Sequence, residues 1–89
     1  MSDTYELIYR IALSCHRRQT LMWGGDLAVA LSKAGIVSRQ GRRYQARARG
    51  IYTVISKAAQ YAWREYGRDG HRTVALVFVD SSGGYAYRK

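Results

Sequence analysis

The chain has 89 residues, of which 47% are apolar and 24% are charged. This length suits a single domain over residues 1–89, and the composition is that of a globular protein rather than a disordered chain. One cysteine and two histidines exclude a disulfide framework and a structural zinc site, and the longest apolar run, at 74–79, is far too short to span a membrane.

The first residues include Asp3 and Glu6 and lack the basic start and apolar block of a secretory signal. We therefore expect a cytoplasmic protein with no membrane partner. Cys15 and His16 are adjacent in a predicted helix, so their side chains diverge by about 100° and cannot form a nucleophile–base pair. We expect no enzymatic activity, no metal, no cofactor and no small-molecule substrate.

The basic residues are concentrated in one section of the chain. Fifteen lysines and arginines against six acidic residues give a formal net charge of +9. Most of the fifteen are arginine, which pairs with phosphate and with guanine edges. No acidic residue occurs within 27–64, and five arginines lie within 39–49. This section is suited to contact with a polyanion.

The first predicted helix covers about residues 4–18. Asp3 stands at the N-cap with Glu6 three residues later, which is the spacing of a capping box. Apolar residues between Ile8 and Cys15 recur on one helical face, so the pattern predicts an amphipathic helix with Cys15 in the core.

A second, shorter helix is predicted over residues 27–34. Asp26 is its expected N-cap, and Gly35 is its expected C′ residue. Residues 36–44 contain Gly41 and are predicted to form an extended loop, with brief strand pairing at its start.

The third predicted helix is the longest, from about residue 45 to 66. Gly50 weakens a helix interior, which leaves open a start nearer to Gly50 itself. Gly67 and Gly70 indicate that the helix ends just after residue 66.

The pattern then changes to that of a strand. Residues 73–79 are β-branched and aromatic, residues 80–84 are turn formers, and residues 85–87 are a second short strand. These features predict a β-hairpin over about 73–88.

Helix, short helix, loop, longer helix and hairpin is the order of a winged helix-turn-helix domain. We therefore expect an α+β fold with three helices and a C-terminal hairpin wing. In such domains the second helix of the pair lies in the DNA major groove with its N-terminal residues at the base edges. That end coincides here with the arginine-rich section.

Residues 26–44, DLAVALSKAGIVSRQGRRY, resemble a segment in the DNA-binding region of large serine recombinases. There a helix ends in a Gly-Ile turn, and a Ser- or Thr-led loop with glycine and a basic–aromatic pair leads into the recognition helix. The resemblance covers about residues 26–56, although this chain lacks the proline usual in that loop and is too short to hold the catalytic domain. It implies a DNA-reading helix-turn-helix, as in small phage or mobile-element regulators, and not recombination.

The sequence thus predicts a sequence-specific double-stranded DNA-binding protein, a small transcriptional regulator or accessory factor. Arg42 and Arg43 would neutralise phosphates, and Tyr44 and Gln45 would reach phosphate or adenine edges. The expected nucleic-acid-binding residues are Arg39, Arg42, Arg43, Tyr44, Gln45, Arg47, Arg49, Thr53, Lys57, Arg72, Arg88 and Lys89.

Other functions fit the same residues. The basic surface and many tyrosines would also serve a winged-helix interaction or inhibitor module that docks on an acidic or nucleic-acid-binding partner, or an RNA-binding protein. A palindromic DNA site would require a homodimer, for which Tyr61, Trp63 and Tyr66 are candidate interface residues.

Overall fold

Three helices and two short strands form the regular structure of residues 2–38, 40–45 and 49–86, the part of the chain that the computed structural model describes. In chain order they are α1 (Ser2–Arg17), β1 (Met22–Trp23), α2 (Gly24–Lys33), α3 (Gly50–Ala75) and β2 (Phe78–Val79). The expected mixture of helix and strand is confirmed, but the C-terminal elements differ from the prediction.

Helix α1 turns its predicted apolar face to the core. Ile8 and Ala12 are fully buried, and Cys15 is only 2% exposed. The predicted capping box is wrong, because Asp3 lies inside the first turn and Glu6 instead accepts hydrogen bonds from two tyrosines of α3. Tertiary hydrogen bonds therefore prevail over the local cap.

Helix α2 begins at Gly24, earlier than predicted. Trp23 occupies the N-cap without a side-chain hydrogen bond, and Asp26 lies in the first turn rather than at the cap. Glycine permits this start, because a Cβ atom on Gly25 would lie 2.6 Å from the Trp23 ring. The sequence pattern alone could not reveal that packing.

The end of α2 follows the prediction. Gly35 takes the left-handed conformation, with φ of 77°, which a residue with a Cβ atom rarely adopts. The N–H of Gly35 donates to the carbonyl of Ser32, and that of Ile36 donates to the carbonyl of Leu31, both at 3.0 Å. This is a Schellman motif, in which two otherwise unpaired helix carbonyls are satisfied.

Helix α3 reverses direction at Gly67, whose φ is 77° and ψ −161°. Residues 68–75 return along residues 50–66, since Nδ1 of His71 lies 3.1 Å from the carbonyl oxygen of Ala59. The return is close at Gly70, where an added Cβ atom would lie 2.5 Å from the Cβ of Tyr66.

The predicted strand at 73–79 is wrong over its first half, which is helical. Thr73 donates its hydroxyl to the carbonyl of Asp69, four residues earlier, at 2.8 Å. Val74, Val77 and Phe78 are at most 1% exposed, and their spacing of three and four residues also suits a helical face. Packing against the core therefore selects helix for residues 73–75 despite their β propensity.

The predicted C-terminal hairpin is also corrected. Strands β1 and β2 are parallel, with Met22 opposite Phe78 and Trp23 opposite Val79. After β2 the chain folds back in a turn that forms one antiparallel bridge, between Val79 and Tyr85. A parallel pair and one bridge thus take the place of a two-stranded wing among the described residues, and the end of the predicted 73–88 hairpin lies outside them.

The core lies between α1, α2 and both halves of α3, with β2 at its edge. Its largest fully buried side chains are Phe78, Ile8, Leu27, Leu31, Ile51, Ile55, Val74 and Val77. Within the described ranges, no helix has both the length and the apolar content needed to cross a bilayer.

Candidate nucleic-acid interface

The connection between α2 and α3 places two arginines on the surface. The N–H of Ser38 donates to the carbonyl of Arg42 at 2.8 Å, and that of Gly41 donates back to Ser38 at 2.9 Å. Gly41 has φ of 78°, and Val37 forms an antiparallel bridge with Arg43. This tight turn leaves both arginines exposed, as a role in contacting phosphates requires.

Tyr44 anchors this loop to the body of the protein. Its ring is half-buried and packs against the core, and burial raises the pKa of its hydroxyl. The neighbouring Gln45 is exposed. We call residues 40–45 the basic loop.

A shallow groove of about 240 Å³ separates the basic loop from the start of α3. The residues that line it are Tyr5, Ser38, Gln40, Tyr44, Gly50, Thr53, Val54 and Lys57. The structure therefore brings together three of the predicted binding residues, Tyr44, Thr53 and Lys57.

Helix α3 begins at Gly50, the later of the two starts that the sequence left open, so Gln45 belongs to the loop and Arg49 is the N-cap. The N-cap residue Arg49 makes no side-chain cap hydrogen bond, and the first turn contains no acidic residue. Backbone N–H groups at an uncapped helix start carry partial positive charge. That charge adds to the positive potential of the neighbouring arginines.

An exposed polar stripe continues along α3 from this end. At 100° per residue its members fall within an arc of about 80°, and at 1.5 Å per residue they extend over about 22 Å. We call this the α3 stripe; its members are Arg49, Thr53, Lys57, Gln60 and Arg64, all exposed. The sequence-based site omitted Gln60 and Arg64, although their spacing continues the helical repeat that begins at Arg49.

The cations of the basic loop and the α3 stripe form no ion pair with a carboxylate of the described residues. Between described residues the structure contains one ion pair, from Nε of Arg10 to Oε2 of Glu6 at 3.0 Å. That pair lies on α1, outside this surface. The described arginines and lysine of the two segments are therefore available to an external anion.

Arg72 is not part of this surface. It was expected on the hairpin wing but lies on the returning half of α3, where it lines a cleft with His16 near the end of α1. Tyr5, by contrast, lines the groove beside the basic loop at the start of α1. Tyr5 and His16 are about 16 Å apart along the axis of α1, so the groove and the cleft lie near opposite ends of that helix. Four other predicted residues lie outside the described part of the chain: Arg39, Arg47, Arg88 and Lys89.

Beside this surface, a hydrogen-bonded cluster joins α1 to α3. Oε1 of Glu6 accepts from the hydroxyls of Tyr61 and Tyr66, at 2.7 and 2.6 Å, and Oε2 accepts from Arg10. The Tyr66 and Tyr61 hydroxyls hold the pKa of Glu6 below its ordinary value. The same carboxylate raises the pKa of Tyr61 to about 12. Sequence reasoning missed this cluster because its members are 55 and 60 residues apart.

Among the described residues, no three histidine, cysteine, aspartate or glutamate side chains are close enough together to hold a metal ion. No protein-family model, curated protein or solved structure matches this chain. Its function must therefore be inferred from its own residues.

Proposed function

We propose that this protein binds double-stranded DNA sequence-specifically through the basic loop and the α3 stripe. It would act as a small transcriptional regulator or accessory factor of the phage or mobile-element type. The observation that carries this proposal is the groove in which Tyr44 of the basic loop meets Thr53 and Lys57 of α3, flanked along the chain by exposed cations that form no ion pair with a described carboxylate. In helix-turn-helix terms, α2 and α3 would be the helix pair, with the basic loop in the connection between them.

The loop residues position the protein on the duplex. Arg42 and Arg43 project from a turn that internal hydrogen bonds constrain, so little backbone order has to be gained on contact with phosphates. Arginine forms bidentate hydrogen bonds with phosphate oxygens. Such contacts fix the register of the protein but do not read sequence.

The α3 stripe reads the bases. The major groove admits an α-helix, and side chains of the first turns reach the base edges. Arg49 can pair with guanine, and the methyl group of Thr53 can contact thymine. Gln60 and Arg64 lie about three and four turns further along the helix and would contact phosphates. The absence of acidic residues from this stripe removes a source of repulsion from the DNA backbone.

Salt dependence tests the electrostatic part of the proposal. Arg42, Arg43, Lys57 and Arg64 could each displace a counterion from DNA. If all four contact phosphates, the logarithm of the binding constant falls against the logarithm of salt concentration with a slope of about −3.6. A slope near zero would contradict the proposal.

Selection from a random duplex library, sequenced after several rounds, tests the sequence-specific part. We expect enrichment of a short motif, followed by tighter anisotropy-measured binding to that motif than to scrambled duplexes of equal length. A library that remains random would show that the protein binds DNA without reading it.

A second candidate function is docking on an acidic protein partner. It is favoured by large apolar side chains that remain exposed among the described residues, including Leu21 at 60% and Trp63 at 46%. Such a partner would bury these residues, and its affinity would depend less on salt than DNA affinity does. Duplex binding with the steep slope given above would favour DNA.

A further inference from the structure

A second groove, of about 410 Å³, is lined by residues of α1 and by Tyr66 of α3. Tyr5 lines the first groove and the adjacent Glu6 lines the second, and the two grooves share no lining residue. The residues lining the second groove are Glu6, Tyr9, Arg10, Leu13, Ser14, Arg17 and Tyr66. None of them belongs to the surface proposed to bind duplex DNA.

A tyrosine ring in this groove is held in a fixed plane. Tyr66 stacks on Tyr9 with a centroid distance of 4.2 Å and an interplanar angle of 8°. Its hydroxyl donates to Oε1 of Glu6 at 2.6 Å. Although one side of the ring packs on Tyr9, the residue is 44% exposed. An aromatic plane that is already ordered loses little entropy when a further ring stacks on it.

The same groove carries positive charge. Arg10, Ser14 and Arg17 are exposed and follow one another at the spacing of a single helical face. The carboxylate of Glu6 is already occupied by two phenols and by Nε of Arg10. Arg17 forms no ion pair with a described carboxylate, so the groove has an available cation next to its aromatic plane.

We propose that this groove binds single-stranded nucleic acid, with an unpaired base stacked on Tyr66 and the adjoining phosphate held by Arg17. Proteins that bind single strands combine aromatic stacking with a positive track for the backbone in this way. A duplex cannot use the groove in this way, since its bases are already stacked on one another. The inference is independent of the duplex-binding proposal, because the two sites share no residue.

Fluorescence anisotropy with short labelled oligomers of thymidine and of uridine tests this site. We expect Tyr66→Ala to weaken binding by about 5- to 100-fold, since stacking of one base on an aromatic ring has that value. Tyr66→Phe retains the ring and should bind nearly as tightly as the unmodified protein. Arg17→Ala, an exposed change that leaves the core intact, should weaken binding and reduce its salt dependence. Tighter binding of the thymidine oligomer would indicate single-stranded DNA as the ligand, and tighter binding of the uridine oligomer would indicate RNA.

Two controls separate this site from the basic loop and the α3 stripe. Lys57→Ala should leave oligomer binding unchanged, and Tyr66→Ala should leave duplex binding unchanged. An abasic oligomer of equal charge should bind more weakly than the thymidine oligomer. The proposal is overturned if the unmodified protein binds neither oligomer, if the abasic strand binds equally well, or if Arg17→Ala and a folded Tyr66→Ala both bind as tightly as the unmodified protein.

Discussion

The α1–α3 cluster, formed by Glu6, Arg10, Tyr61 and Tyr66, pairs its carboxylate within the protein. The basic surface, which consists of the basic loop and the α3 stripe, instead exposes its cations. In the cluster, both carboxylate oxygens of Glu6 are hydrogen bonded to described partners. On the basic surface, Arg43 and Lys57 stand exposed with no carboxylate within ion-pair distance among the described residues. Like charges left unpaired on one surface repel one another and cost free energy in the folded state. We infer that the α1–α3 cluster stabilises the fold, whereas the basic surface binds a partner.

The largest expected effect is on the core beneath both regions. Ile55→Ala removes a side chain with 0% exposure and should lower the free energy of unfolding by about 2–5 kcal/mol. Because so small a domain is only marginally stable, the variant should be largely unfolded at 37 °C. Urea denaturation followed by circular dichroism measures the change. A loss below about 1 kcal/mol would mean that the core repacks around the gap.

The free energy of unfolding should be nearly as sensitive to a substitution at Gly70, where the second half of α3 packs against the first. An alanine Cβ at Gly70 would lie 2.5 Å from Cβ of Tyr66 and 3.0 Å from the carbonyl oxygen of Ala62, so Gly70→Ala should destabilise by about 1–3 kcal/mol. Gly50→Ala is the matched control, since no atom of the described residues lies within 4 Å of its added Cβ; it should be neutral or stabilising by up to about 1 kcal/mol. Equal thermal stability of the two variants would contradict the reversal at Gly67.

Removing a cation from the α3 stripe should separate binding from stability. Arg49→Ala should weaken binding to the selected duplex by about 1–3 kcal/mol if the side chain pairs with a base. The free energy of unfolding should change little, because Arg49 is exposed and its side chain makes no cap hydrogen bond. Arg72→Ala removes the same charge from the returning half of α3, beside the C-terminal end of α1. It should have a much smaller effect on duplex affinity. Equal losses in the two variants would show that net charge, not the stripe, controls binding.

The α1–α3 cluster predicts a stability that depends on pH at both extremes. The two tyrosine hydroxyls hold the pKa of Glu6 below 4.5, so its contribution is present above that pH and is lost as pH falls through the lowered pKa. The pKa of Tyr61 is raised from 10.0 to about 12, so its contribution is present below pH 10 and is lost as pH rises toward 12. Tm measured against pH should therefore fall at each extreme. Glu6→Gln should flatten both slopes; unchanged slopes would contradict the cluster.

The smallest effect is expected from a single phosphate contact. Arg42→Ala should weaken binding to all duplexes alike and make the salt slope shallower by about one unit. Titrations at several salt concentrations, with selected and scrambled duplexes, measure both quantities. A loss confined to the selected duplex would instead assign Arg42 to base reading.

Local signals in the sequence were reliable where local physics decides the structure. The apolar face of α1, the end of α2 at Gly35 and the exposure of Arg42 and Arg43 all follow from spacing, backbone conformation or charge. The candidate surface was likewise predicted as far as Lys57. It was predicted incompletely, because the continuation to Arg64 becomes evident only when the exposed face of α3 is defined.

By itself, the sequence determined a basic chain with amphipathic helices, because apolar periodicity and charge clustering are properties of neighbouring residues. Only the tertiary structure decided that residues 73–75 are helical, that β1 pairs in parallel with β2, and that Arg72 lies away from the basic loop. It alone decided that Glu6 joins Tyr61 and Tyr66. These outcomes depend on contacts between residues far apart in the chain, whose free energies exceed the small preferences that local sequence expresses.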